Sequence, residues 1–262
     1  MRTGSVMGRP LDAGDVTSAA KRLGVTEAHV RAVIAVEASG SGFLGKYEND
    51  PRLPKILFEA HIFSRETGGQ YDGTHPHLSS AKWNRTLYKG GLKEHDRLRE
   101  AAELESDAAY RSASWGLFQI MGFNHEPAGY PNLWDFVGVQ YVSEGLQLQC
   151  GINFILSHGL EKYLQIQDWP GFAKGYNGPE YEKNQYHEKL TAAFERFKSG
   201  MVERDRETKD LQRALNRAGF NLVLDGTLGS RTEAAIREFQ EREGLTVDGI
   251  AGPQTRRALG LQ

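Results

Sequence analysis

The stretch Val30-Arg31-Ala32-Val33-Ile34-Ala35-Val36-Glu37-Ala38-Ser39-Gly40-Ser41-Gly42-Phe43 decides how the rest of the chain is read. Val30, Val33, Ile34 and Glu37 follow the i, i+3, i+4, i+7 spacing of one helix face. A carboxyl group therefore shares the apolar stripe of a helix and points into a core or a cleft wall. Gly40 and Gly42 supply the permissive backbone on which helices end. A charged carboxylate on such a face is costly, and desolvation raises its pKa. A carboxylic acid that stays protonated near neutral pH is what general-acid catalysis requires. A buried glutamate hydrogen-bonded for purely structural reasons fits the same pattern, and this window alone leaves both readings open.

The bulk composition narrows the class. A chain of 262 residues, 39% hydrophobic and 25% charged, suits a soluble globular protein with one large domain, or a medium domain and a small one. A net charge of −2 gives no global argument for nucleic acid or an anionic membrane. The one cysteine, Cys150, excludes an intrachain disulfide. It sits among Leu146, Leu148, Ile152 and Phe154 and reads as a small buried hydrophobe. The N-terminus has no apolar run of signal-peptide length, and no stretch approaches a transmembrane span. The expectation is a protein kept in the cytoplasm unless another system releases it, monomeric and without stable membrane insertion.

The remaining pattern is mostly helical. Residues 12–22 predict a short opening helix with Asp12 or Asp15 near its start, and Thr26 predicts the N-cap of the helix ending at Glu37. Residues 44–54 are polar and turn-rich. Residues 55–63 (Lys55-Ile56-Leu57-Phe58-Glu59-Ala60-His61-Ile62-Phe63) read as a buried strand or the start of a helix, with a second carboxylate, Glu59, inside the apolar run. Residues 68–88 are loop-like, 92–110 helical with a solvated face, and 133–139 and 143–158 helical again. In the segment Trp115-Gly116-Leu117-Phe118-Gln119-Ile120-Met121, Gln119 is the strongly polar residue, and its amide must find a backbone or ligand partner. Asp168 caps a short helix that stops at Tyr176-Asn177-Gly178-Pro179, and Tyr186, Leu190, Ala193, Phe194 and Phe197 form an amphipathic closing helix.

From residue 195 to 210 the chain is highly charged and reads as a linker, helical in part, with a domain boundary near residue 203. Beyond it lies an internal repeat. Asp225-Gly226-Thr227-Leu228-Gly229-Ser230-Arg231-Thr232 recurs as Asp248-Gly249-Ile250-Ala251-Gly252-Pro253-Gln254-Thr255. Each copy predicts a tight Asp-Gly turn followed by a helix. Leu211, Leu215, Phe220, Ile236, Phe239 and Leu245 supply a small core.

Three separated stretches then line up: Glu37 to Phe43, Gly116 to Met121, and Gly175-Tyr176-Asn177-Gly178-Pro179. In that order they resemble the signature blocks of the goose-type lysozyme and lytic transglycosylase superfamily, and their context resembles the N-acetylmuramidase domain of phage endolysins. The resemblance covers roughly residues 10–197. The repeat resembles the small helical peptidoglycan-binding domain of cell-wall enzymes. The implied architecture is mainly α (α+β with a minor hairpin): a lysozyme-like catalytic domain over 1–202 and a three-helix peptidoglycan-binding domain over 203–262.

The resemblance implies roles. Glu37 is the acid that protonates the glycosidic oxygen leaving C1 of muramic acid. Gln119 contacts sugar or orients the acid, and Tyr176 and Asn177 line the cleft. Ser114 bonds a sugar or caps a turn. Peptidoglycan is the implied partner, with no cofactor, and release to the wall by a holin is the implied context. An inverting hydrolase needs a second carboxylate to activate water, roughly 6.5–9.5 Å away. Glu59 is the candidate if residues 42–63 fold as a hairpin back over the end of the Glu37 helix. Asp50 and Asp72 are weaker ones. With no second carboxylate, the muramic acid 6-hydroxyl attacks instead, as in a lytic transglycosylase. A non-catalytic wall-binding protein is the rival of a different class. His61, His75, His77, His95 and His125 invite a zinc reading, but no ligand set has zinc-site spacing. Trp83, Trp115, Trp134 and Trp169 could stack on sugars, although most are expected in the core.

Overall fold

Asp12 begins the regular structure. Its side chain accepts the Asp15 N–H while the Asp15 carboxylate accepts the Asp12 N–H, a capping box that opens α1 (Ala13–Leu23). The computed structural model describes residues 7–37, 40–44, 52–179 and 181–261. Helix α2 (Glu27–Glu37) follows. Thr26 precedes it, and its hydroxyl lies 2.9 Å from Nδ1 of His29. Val30 and Val33 are buried on the face that the spacing predicts.

Strand β1 (Phe43–Leu44) pairs antiparallel with β2 (Leu53–Pro54). Residues 45–51 between them, including Asp50 and most of the stretch read as turn-rich, lie outside the described residues. Residues 55–63 hold both expected forms: β3 (Ile56–Phe58), then α3 (Ala60–Glu66), with Glu59 at the junction. The expected helix over 92–110 is two helices, α4 (Lys93–Leu104) and α5 (Ser106–Arg111). Glu105 is extended between them, and the Leu104 carbonyl accepts the Tyr71 hydroxyl at 3.1 Å. Strands β4 (Ala113–Trp115) and β5 (Ile120–Met121) complete a sheet of order β3-β4-β5, with Leu57 opposite Ser114 and Ser114 opposite Met121.

Helices α6 (Leu133–Gln140), α7 (Glu144–Ser157), α8 (Glu161–Gln165) and α9 (Trp169–Asn177) follow. Ser143 caps α7, and Asp168 caps α9 through the Gly171 N–H at 2.9 Å. Phe58, Phe63, Trp115, Phe136, Leu148, Ile155 and Phe172 are nearly or fully inaccessible and form the core, with Cys150 buried beside them as expected. Beneath the sheet, Glu94 is fully buried. It accepts the backbone N–H groups of Phe58, Lys89 and Gly90 and pairs with Arg97 at 2.7 Å. Burial pushes the Glu94 carboxyl up, but these N–H groups and Arg97 outweigh it and leave the pKa lowered.

The chain divides into two compact units, Met1–Phe194 and Glu195–Gln262. Helix α10 (Tyr186–Arg217) is unbroken across the charged run that reads as a linker. That run lacks proline, and Asp205–Lys209 and Asp210–Arg213 place opposite charges at helical spacing. Among the described residues, no helix is long and apolar enough to cross a membrane.

In the second unit α10 packs with α11 (Ser230–Arg242) and α12 (Pro253–Ala258) around Leu211, Leu215, Ile236, Phe239 and Leu259, with Phe220 against them. Leu245 is half-buried beside this core rather than part of it. The repeat is a repeated hydrogen-bond device. The Gln212 amide donates to Asp225 Oδ1 (2.8 Å) and the Thr227 carbonyl (3.1 Å), while its oxygen accepts the Gly226 N–H (3.1 Å). The Gln240 amide donates to Asp248 Oδ1 (2.8 Å) and the Ile250 carbonyl (3.0 Å), while its oxygen accepts the Gly249 N–H (2.9 Å). Each buried glutamine thus clamps one Asp-Gly turn onto a helix. Gln240→Leu strands the buried N–H of Gly249 and removes about 1–3 kcal/mol from this unit. Hydrogen exchange on the full chain should show faster exchange around residues 248–255, with residues 13–37 unchanged.

Candidate active site

Glu37 is the last residue of α2, and it lines a cavity of about 290 Å³. The other walls are Phe118, Gln119, Ile120, Met121, Asn124, Phe154, Tyr176 and Asn177. The carboxyl oxygen Oε1 is buried with no hydrogen-bond partner. Burial drives the Glu37 pKa up to about 8, opposed by a side-chain hydrogen bond from Asn177. The group is thus a protonated acid at neutral pH, with a single amide favouring its ionised form.

Tyr176 and Asn177 reach this acid from the last turn of α9. The Tyr176 ring stacks on Phe172 (5.5 Å between centroids, 17° between planes) and meets Phe154 edge-on at 5.7 Å. Burial, and then the charge that Glu37 can carry, hold the Tyr176 hydroxyl well above its ordinary pKa. This phenol therefore stays neutral and supplies a fixed wall.

Gln119 lines the cavity from the turn between β4 and β5. Its backbone is left-handed (φ 49°). Its amide donates to the carbonyls of Gly116 (2.8 Å) and Lys55 (3.2 Å), and its oxygen accepts the Ser114 hydroxyl (2.9 Å). The partners that the sequence demands for Gln119 are thus backbone carbonyls and Ser114, and both residues hold the turn that carries Phe118 and Ile120. Asn124 and Phe154 join the site without a sequence signal. Asn124 follows β5 in a short turn, and Phe154 looks like one more apolar residue of α7.

Two α7 side chains, Glu144 and Gln147, bind Ser41 and Gly42. Glu144 Oε1 accepts the Ser41 hydroxyl and the Gly42 N–H, both at 2.7 Å, and its Oε2 accepts the Leu11 N–H at 2.9 Å. Gln147 Oε1 accepts the Leu117 N–H at 2.9 Å, and its amide donates to the Gln140 carbonyl at 2.7 Å. Gly42 fits this junction because a Cβ there would strike the Gln147 amide and stand 2.9 Å from the Leu117 nitrogen. Its role is close packing, whereas Gly40 has the positive φ (109°) of a chain leaving a helix.

Glu59 is not among the residues lining the cavity. Its Oε2 accepts the Tyr88 hydroxyl at 2.6 Å and lies 3.3 Å from His61 Nδ1. Tyr88 in turn accepts the Trp83 indole N–H at 2.7 Å. Burial and then Glu59 push the Tyr88 pKa to about 12, so the phenol remains the donor. Asp72 is taken up by the hydroxyls of Ser64 (3.0 Å) and Ser79 (2.5 Å). His77 pairs with Glu100, while His95 and His125 bond the carbonyls of Pro54 and Tyr130. Trp115 and Trp169 are core residues, but Trp83 and Trp134 are 60% and 47% exposed, so the expectation that most tryptophans are internal holds for two of the four.

Raising the pKa of Glu37 has a cost in stability. Its folded-state pKa lies above the ordinary 4.5, so the folded protein holds the proton more tightly than the unfolded chain. Stability therefore falls as pH rises from about 4.5 through about 8. Glu37→Gln, which cannot ionise, should exceed the wild type by on the order of 5 kcal/mol at about pH 9 and match it at about pH 4. Chemical denaturation at the two pH values measures the difference.

Residues 26–198 match the family model for N-acetylmuramidase, and residues 204–259 match that for a peptidoglycan binding domain. The crystal structure of a Burkholderia AP3 phage endolysin superposes with a TM-score of 0.66 at 38% identity, covering 73% of this chain and 72% of that one. A zinc D-Ala-D-Ala carboxypeptidase of Streptomyces albus G is 51% identical over 37 residues, 14% of this chain and 14% of that protein. A spore cortex-lytic enzyme of Bacillus cereus is 39% identical over 69 residues, 25% of this chain and 27% of that protein. The chain thus spans only a minor part of the length of these two curated relatives. The muramidase match runs over more than half of the sequence and takes in Glu37, Gln119, Tyr176 and Asn177, and the chain belongs to the N-acetylmuramidase family.

Proposed function

We infer that this protein degrades bacterial peptidoglycan by cleaving the β-1,4 bond between N-acetylmuramic acid and N-acetylglucosamine, with Glu37 as general acid. The observation that carries the reading is the buried, partly unpartnered Glu37 carboxyl in the lining of a cavity, with a pKa of about 8. Glu37 gives its proton to the glycosidic oxygen as the bond to muramic acid C1 breaks. Asn177, bonded to the carboxyl, stabilises the carboxylate that remains. Tyr176, Phe118 and Ile120 supply apolar walls beside Glu37. In this reading residues 1–202 form the catalytic part and 203–262 hold it on the wall, which raises the local substrate concentration on an insoluble polymer. The protein acts as a monomer, without metal or cofactor, in the manner of an endolysin released from the host cytoplasm by a holin.

In the hydrolytic form of the reaction Glu59 activates the water that adds to C1, and the product has a reducing muramic acid end. One observation favours a second form. Glu37 is the sole carboxylate among the described residues that line the cavity. Without a second carboxylate, the muramic acid 6-hydroxyl attacks C1, gives its proton to the Glu37 carboxylate left by bond cleavage, and leaves a 1,6-anhydro end.

Mass spectrometry of digested peptidoglycan separates the two. Reducing ends are expected, with Glu59→Gln lowering their yield about 100-fold or more. Anhydro ends, unaffected by Glu59→Gln, would establish transglycosylation, and cleaved stem peptides would overturn the reading altogether. Glu37→Gln should lower either glycosidic activity by about 10²–10⁴-fold. Because the acid must be protonated, kcat/KM should fall as pH rises through about 8.

A further inference from the structure

The segment Lys82-Trp83-Asn84-Arg85-Thr86-Leu87-Tyr88-Lys89-Gly90-Gly91-Leu92-Lys93 is unlike the rest of this near-neutral chain. No acidic residue occurs between Asp72 and Glu94, a run that holds four cations. Lys82, Arg85, Lys89 and Lys93 are all exposed, and none forms an ion pair with a described residue. The acids at either end are turned inward: Asp72 onto Ser64 and Ser79, Glu94 onto Arg97 and three backbone N–H groups. The positive charge of the segment is therefore left to solvent. Within it Trp83 is 60% exposed, yet its ring is not loose. The indole N–H is held by Tyr88, whose hydroxyl is held by Glu59, and the two rings meet at 67°. An aromatic face fixed by its edge and open on its surface is pre-organised for stacking at little entropic cost.

The place of this platform in the fold indicates what it meets. Glu59 follows β3, at one edge of the β3-β4-β5 sheet, and Ile120 and Met121 of β5, at the other edge, line the Glu37 cavity. Two strand spacings amount to about 10 Å, within the span of a short oligosaccharide. Peptidoglycan combines sugar rings with stem peptides that carry carboxylates. An anionic membrane would also attract the cations, but interfacial helices that bind membranes present a broad apolar face. Here the exposed large hydrophobic residues are Trp83 and Leu92, on a segment whose regular structure is a single three-residue turn of helix.

We propose that residues 82–93 form a second substrate-binding surface, outside the Glu37 cavity, on which Trp83 stacks against a sugar of the glycan strand while Lys82, Arg85, Lys89 and Lys93 engage stem-peptide carboxylates. This rests on peptidoglycan being the substrate, but not on Glu37 being the acid. The test is co-sedimentation of the full chain with purified sacculi, in the Glu37→Gln background so that the polymer stays intact. Trp83→Ala should weaken binding about tenfold, the loss expected of one anchoring aromatic. Replacing all four cations by glutamine should flatten the salt dependence of binding between about 50 and about 200 mM. Sacculi with amidated carboxylates should bind the wild type and the four-cation variant equally. Unchanged melting temperatures exclude misfolding, since all five side chains are exposed. Unaltered sacculus binding in both variants would overturn the proposal, as would loss of binding to phosphatidylglycerol vesicles without loss to sacculi. Failure of the Glu37 reading would appear separately, as glycosidic activity that survives Glu37→Gln.

Discussion

The carboxylate of Glu144 is the interaction on which the catalytic unit depends. It stands in the first turn of α7, where the helix dipole favours negative charge. From there it accepts donors from two distant segments, Leu11 ahead of α1 and Ser41-Gly42 beyond α2. Gln147, one turn later, adds Leu117 to the same assembly. Ser41-Gly42 and the turn carrying Phe118 and Gln119 are therefore fixed to one helix. The result is two buried glutamates with opposite fates. Glu144 has three donors, while Glu37 has one amide and an oxygen with none. A carboxyl group held so poorly solvated persists only because the surrounding backbone is fixed by other groups.

The same division of labour explains the polar residues of the β4–β5 turn. Gln119 faces the cavity, but its hydrogen bonds are spent on the carbonyls of Lys55 and Gly116 and on Ser114. It secures a left-handed turn that leaves Phe118, Ile120 and Met121 as walls. Burial of the Glu37 carboxyl, not a charged neighbour, thus sets the acid's pKa.

What the sequence makes legible follows from range. The helix ending at Glu37 is readable because burial repeats at helical spacing within one window, and the end of α9 at Tyr176-Asn177 because Gly178-Pro179 is a local stop. The Asp-Gly turns are legible for the same reason. Glu144 and Gln147 leave no such trace. Their partners at Gly42 are 102 and 105 positions away, and in the sequence they are polar residues at the start of an apolar helix. The charged run over 195–210, read as a linker helical in part, lies within one helix, because a charged run without proline is as good a helix as a tether once opposite charges fall four residues apart. In the second unit the sequence shows the repeated Asp-Gly turns but not that Gln212 and Gln240 each hold one of them.

The central claim is that Glu37 carries a proton at neutral pH in the free protein. Titration of its side-chain carboxyl carbon by NMR, in protein labelled with carbon-13 at glutamate and assigned through the spectrum of Glu37→Gln, tests this without substrate. A midpoint at about 8 is the expected result. A midpoint near the ordinary value of 4.5 would contradict the account, because the group would then already be ionised where a general acid must hold its proton.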